Sequence, residues 1–180
     1  QASVAETMNY FATSIEFSIN IHKAAPSLSF SAMEKTYGDA DFLLGASSTN
    51  STGVVTYRIV GADNGTSIAG STVSLGNVGT VTISATIAAT NNHTEVSKEA
   101  VLTIKKAILR AKAVDATKVY GEPNPVFEIS YEGLKNGDGS DAIAIPPTIV
   151  TRATTFSNIG TYQIAIEGGV DDNYIIETGE

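Results

Sequence analysis

Apolar side chains recur at every second residue along Thr80–Ile87, where Val81, Ile83, Ala85 and Ile87 alternate with threonine and serine. Successive side chains of a strand point to opposite faces, so this alternation predicts a half-buried β-strand. The same phase runs through Tyr162, Ile164 and Ile166 within Thr161–Glu167. It recurs in Val55, Tyr57 and Ile59 within Val54–Val60, and in Phe127, Ile129 and Tyr131 within Val126–Tyr131. Turn-forming breaks such as Gly61-Ala62-Asp63-Asn64-Gly65 and Asn136-Gly137-Asp138-Gly139 separate these segments. No segment of helical length carries a helical period, and only Asp138–Ala144 leaves room for a helical turn. The pattern predicts an all-β chain of immunoglobulin-like sandwiches or small sheet domains.

The pattern is also periodic on a larger scale. Lys35-Thr36-Tyr37-Gly38-Asp39 returns as Lys118-Val119-Tyr120-Gly121-Glu122, and Lys23-Ala24 returns as Lys106-Ala107, both 83 residues on. Asn77-Val78-Gly79-Thr80 returns as Asn158-Ile159-Gly160-Thr161, 81 residues on. Matched landmarks at a fixed period longer than a hairpin imply an array of small domains. The boundaries this sets are 25–107 and 108–180. Residues 1–24 superpose on the end of a repeat, with Ala2 on Ala85, Val4 on Ile87, Thr7 on Thr90 and Asn9 on Asn92. Phe17, Ile19 and Ile21 then fall on Ala100, Leu102 and Ile104, so residues 1–24 read as the last strands of a preceding copy. The strand of the second domain equivalent to Ala100–Lys106 would lie past Glu180. An open sheet edge there, and a spare apolar strand at Glu16–Lys23, would permit strand exchange between chains. Lys106-Ala107 runs straight into Ile108 with no Gly/Ser or Pro-rich linker, which predicts domains set end to end in a stiff rod with a small contact.

Composition narrows the class. A domain of ~80 residues buries about 60–65% of its unfolded surface, enough for one modest core. The chain has no cysteine, so sheet packing rather than disulfides must hold it. A net charge of −8 and a pI near 4.7 speak against nucleic acid as a partner and against adsorption to anionic membranes. No apolar run is long enough to insert in a bilayer as a helix.

From Ile108 onward four landmarks follow in order: Lys118-Val119-Tyr120-Gly121-Glu122-Pro123-Asn124-Pro125, Tyr131-Glu132-Gly133-Leu134-Lys135-Asn136-Gly137-Asp138, Ser157-Asn158-Ile159-Gly160-Thr161-Tyr162 and Asp172-Asn173-Tyr174. In this order residues 108–180 resemble the MBG domain of the YGX type, a mostly-β repeat of large bacterial surface proteins and adhesins. Residues 25–107 keep the Tyr-Gly and Asn-Val-Gly-Thr landmarks without the Gly-Leu-x-Asn-Gly-Asp segment, and resemble a bacterial immunoglobulin-like domain. The resemblance implies an exported, extracellular or cell-surface bacterial protein, and it supplies no catalytic residue, cofactor or metal ligand.

Candidate chemistry is sparse. The Tyr-Gly pairs suggest a sugar or peptide contact, but tyrosine also covers sheet edges and glycine supplies the positive φ that lets a chain leave a strand. Asn136, Asp138 and Ser140 carry oxygens at alternate positions, as a calcium loop does, yet Pro147 stands where the closing glutamate belongs. Asp171-Asp172, Asp39 and Asp41 read as solvated turn charges. His22 and His93 occupy different repeat positions and have no cysteine or spaced carboxylate to join them. No Gly-x-Ser-x-Gly elbow is present. Asn50, Asn64 and Asn92 open Asn-x-Ser/Thr triplets that a Ser/Thr/Asn-rich chain produces by chance.

The expectation is therefore a non-catalytic stalk or adhesion segment without cofactor or metal. A module binding host or matrix glycans and glycoproteins is the alternative, and an accessory region of a larger secreted enzyme is the second alternative.

Overall fold

The structure, a computed structural model, describes residues 2–5 and 13–179. Its strands are β1 (Ala2–Val4), β2 (Thr13–Ile15), β3 (Met33–Thr36), β4 (Phe42–Leu43), β5 (Val55–Val60), β6 (Ser67–Ala69), β7 (Thr72–Ser74), β8 (Gly79–Ile87), β9 (Val96–Lys105), β10 (Ala107–Ala113), β11 (Ile129–Glu132), β12 (Thr148–Thr151), β13 (Ile164–Glu167) and β14 (Tyr174–Thr178). A single 3-10 turn at Ser140–Ala142 is the helical element among the described residues. The chain is all-β, as the alternation predicts, and its sheets stay small and open with no barrel.

The first domain is built on a sheet of order β3-β9-β8-β5 packed with a smaller sheet, β4-β7-β6. β8 and β9 pair antiparallel from Gly79↔Ile104 to Ile87↔Val96, whereas β3 runs parallel to β9 from Met33↔Leu102 to Thr36↔Lys105. This register turns Val81, Ile83, Ala85 and Ile87 of β8 and Ala100, Leu102 and Ile104 of β9 inward, all buried. Each fully buried Ile or Leu contributes about 1.5–3 kcal/mol, so the two central strands dominate the stability of this domain. In the second domain β10 lies between β11, antiparallel, and β14, parallel, while β12 and β13 form a separate pair.

Several expectations need correction. The strand expected over Thr161–Glu167 begins only at Ile164; Ile166 is buried and Ile164 half-buried, but Tyr162 is 39% exposed. No strand among the described residues faces Tyr162 as β9 faces Val81, and its hydroxyl instead donates to the Asn158 carbonyl at 3.0 Å. The strand expected from Val126 starts at Ile129; just before it, the Glu128 carbonyl accepts the Val114 N–H at 3.0 Å. Phe17, Ile19 and Ile21 carry no strand and are 75%, 86% and 87% exposed, and no strand among the described residues pairs with them. Of the N-terminal equivalences, those of Thr7 and Asn9 lie outside the described residues.

Only Lys106 separates β9 from β10, and one apolar cluster passes without a break from Leu102 and Ile104 through Ala107 and Leu109 to Ile143 and Tyr174. Ala107 and Leu109 face inward because β10 carries the phase of β9 across the boundary.

Candidate functional site

The polar side of this junction is built from the repeat landmarks. β3 ends at Thr36, and a tight turn follows in which Asp39 donates its N–H to the Thr36 carbonyl (3.0 Å) while its carboxylate accepts the Thr36 N–H (2.9 Å). Gly38 sits at φ +78°, the left-handed region that glycine enters without a Cβ penalty. The turn aims the Tyr37 ring at the second domain, where it meets Tyr174 edge to face at 5.5 Å and 85°. Both hydroxyls donate to one carboxylate oxygen of Asp138, from Tyr174 at 2.6 Å and from Tyr37 at 3.1 Å. The Tyr174 oxygen in turn accepts the Lys135 N–H at 2.7 Å.

Asp138 is presented by the Lys135–Asp138 turn, closed by Asp138 N–H donating to the Lys135 carbonyl (2.8 Å), with Asn136 and Gly137 both at positive φ. This turn approaches so closely that a Cβ on Gly38 would stand 2.4 Å from Cβ of Lys135. Glycine at position 38 is thus required twice, by its φ and by the partner domain. Burial raises the pKa of Tyr174 well above the ordinary phenol value, reinforced by its hydrogen bond to the Asp138 carboxylate. Burial is also the largest cause that raises Tyr37; a hydrogen bond with Asn136 opposes it, and the hydrogen bond and charge of Asp138 add to the rise. Both phenols are therefore neutral donors at ordinary pH.

A second group closes the opposite side. Asn173 accepts the Val78 N–H (3.0 Å) and donates to Asn77 (3.1 Å), while its carbonyl accepts the Ala107 N–H (3.0 Å). Asp171, expected to be a solvated turn charge, is buried. Its carboxylate accepts the N–H groups of Asn173 (2.7 Å), Tyr174 (3.0 Å) and Ala144 (3.1 Å), and these satisfy what burial removes from water. Lys106 Nζ donates to the Asp171 carbonyl at 2.7 Å.

This arrangement occurs twice. Lys23 Nζ donates to the Thr90 carbonyl (2.7 Å), Ala24 N–H to the Asn92 carbonyl (2.9 Å) and His93 N–H to the Thr90 hydroxyl (3.1 Å). Ala24 also bridges His93 in parallel, as Ala107 pairs with Tyr174. The structure therefore repeats the anchorage of each domain's first residues, with Thr90, Asn92 and His93 in the places of Asp171, Asn173 and Tyr174.

The other candidates make local hydrogen bonds or stay exposed. The Asn136–Asp141 segment spends its central carboxylate on the two tyrosines, and no group of three or more His, Cys, Asp or Glu side chains placed to hold a metal occurs among the described residues. Asn50 accepts from the Ser27 N–H at 2.7 Å, and Asn64 donates to the Thr80 carbonyl at 3.2 Å. His93 is half-buried in its turn, and His22 is exposed. Local reading missed Asp138, Asn173 and Asp171 because each has a sufficient turn explanation. The available signal was that Gly-Leu-x-Asn-Gly-Asp occurs only in the domain whose face meets a preceding repeat.

An all-β module whose landmark residues join the sheets on either side of Lys106 is the class this geometry defines. Residues 109–180 match the family model of the MBG domain (YGX type). That family is a repeat module of bacterial surface proteins and is not a known catalytic family. No curated protein and no solved structure matches the chain.

Proposed function

We propose that the chain is a non-catalytic spacing segment of an exported bacterial cell-surface protein, in which clasped β domains form a stiff stalk. The observation that carries this reading is the junction itself. One residue links β9 to β10, and the clasp of Tyr37, Asp138 and Tyr174 pins the domains on one side while Asn77 and Asn173 pin them on the other. A flexible tether would need a linker of several unpacked residues.

Because the chain lacks cysteine, spin labels can be placed cleanly at the exposed positions Lys98 and Asp115. A single narrow distance distribution supports the stalk. A distribution as broad as that of freely jointed domains would overturn it.

One observation favours a glycan-binding reading instead. Tyr120 is 61% exposed beside Phe156, with ring centroids 6.4 Å apart, and Tyr120 and Tyr162 border a cavity of about 820 Å³. Aromatic faces at a concave surface suit a sugar. A glycan array with the chain and its Tyr120→Ala variant separates the two, since the stalk reading expects no retained glycan.

A further inference from the structure

We infer that this exposed end of the second domain is the seat of a further repeat of the same kind, received through the contacts by which the first domain receives the second. The inference rests on the stalk reading and adds the partner and its register. The turn after Val119 repeats the turn after Thr36, with Glu122 N–H donating to the Val119 carbonyl at 3.1 Å and Gly121 at φ +87°. Gly160 repeats Gly79, at φ +155° and +144°. Tyr120 is thus the structural counterpart of Tyr37, and Ile159 of Val78.

Their surroundings differ in one respect. Tyr37 is 7% exposed beneath the second domain, whereas Tyr120 is open; Val78 packs on the core, whereas Ile159 is 95% exposed. A Cβ on Gly38 would strike Lys135, but one on Gly121 would meet nothing within 4 Å. Exposed apolar side chains gathered at one end, Val119, Phe156 and Ile159 among them, are costly in water and mark an interaction surface.

The cavity beside this surface has the position of a strand. In the first domain β9 fits between β3 and β8. The equivalent walls in the second domain, around Ala116 and Lys118 on one side and Tyr162 and Ile164 on the other, border the cavity of about 820 Å³. The register of β8 with β9 carries over. A small apolar residue would face Ile164 as Ala100 faces Ile83, a leucine-like residue would face Tyr162 as Leu102 faces Val81, and an isoleucine-like residue would face Gly160 as Ile104 faces Gly79. The partner is therefore a repeat that begins with such a strand and continues into a domain presenting an aspartate to the Tyr120 hydroxyl and an asparagine to Asn158.

The test extends the chain with its own sequence, placing residues 98–179 directly after Thr178, the position equivalent to Ser97. Hydrogen exchange at residues 116–119 should slow on the order of 100-fold as the slot gains a strand. Hydroxyl-radical labelling of Tyr120 should fall to the level of Tyr37, and Asp138→Ala in the added copy alone should restore it. Labelling of Tyr120 that is unchanged by extension overturns the inference, and the spin-label distance then tells whether the stalk reading stands without it. Should the extended chain not fold, a free peptide of residues 97–106 added to the 180-residue chain carries the test: protection at 116–119 supports the seat, and none at saturating peptide overturns it. The competing occupant is Phe17–Ile21 of a second copy. Concentration-dependent protection of 116–119 in the unextended chain, abolished by Ile19→Asp, would assign the slot to that strand and overturn the proposal.

Discussion

Asp138→Ala removes the acceptor shared by two tyrosines from different domains, and its cost can be worked from the geometry. The bond from Tyr174 is short (2.6 Å) and its phenol is buried, so it falls in the range of about 1.5–3 kcal/mol for hydrogen bonds to charged groups. The Tyr37 bond is longer (3.1 Å) and therefore weaker, about 0.5–1 kcal/mol. The Lys135 carbonyl, 3.5 Å from the Tyr174 hydroxyl, is a poor substitute acceptor and recovers little. The expected loss is about 2–4 kcal/mol, read as a lower urea midpoint at unchanged slope. A double-mutant cycle with Tyr37→Phe isolates the contact across the junction, and a coupling of about 0.5–1 kcal/mol is expected. A loss below about 0.5 kcal/mol, or additive single mutants, would refute the claim that this carboxylate joins the domains.

Gly38→Ala meets both a left-handed φ and the Lys135 side chain, and should cost about 2–3 kcal/mol, against about 1 kcal/mol for Gly121→Ala, whose surroundings are open; paired denaturation curves check the difference. Tyr37, Tyr131 and Tyr174 all have raised pKa values, burial being the leading cause in each, so the fold favours their neutral forms. Stability should hold below the unfolded phenol value of about 10 and decline as pH rises from there through the raised folded values, and Tyr174→Phe should flatten that decline in urea midpoints measured across the range. Added calcium or a chelator should leave the thermal midpoint unchanged, because a ligand of the folded state must raise it; a calcium-dependent rise would restore the Asn136–Asp141 segment as a site.

The strands with strict alternation and a partner on each side were legible: Val81, Ile83, Ala85 and Ile87 are buried as their phase requires. Tyr162 shows where that reasoning ends. Its segment has the same alternation as β8, but periodicity states which face could be buried and says nothing about whether a neighbouring strand exists to bury it. The exposed Phe17, Ile19 and Ile21 make the same point. Asp171 was misjudged because an aspartate two residues before an asparagine looks like a solvated turn, when its carboxylate in fact closes that turn from within. The clasp lay beyond local reading altogether. Tyr37 and Asp138 are 101 residues apart, and only the fold brings them together. The repeated phrases showed that the same position matters in each copy, while its partner belongs to the next copy along.

The parallel pairings have a mechanical consequence. β3 pairs parallel with β9, and β10 with β14, so each domain's early strand lies alongside its late strand and points the same way. Tension applied through the two ends of a domain draws such strands in opposite directions along their own axes. The ladder bonds are then sheared together, whereas an antiparallel hairpin pulled from its open end gives them up one at a time. With only Lys106 between β9 and β10, there is almost no slack at the junction to absorb the pull before the ladders feel it. Under such a pull, survival is set by the unfolding rate rather than by equilibrium stability.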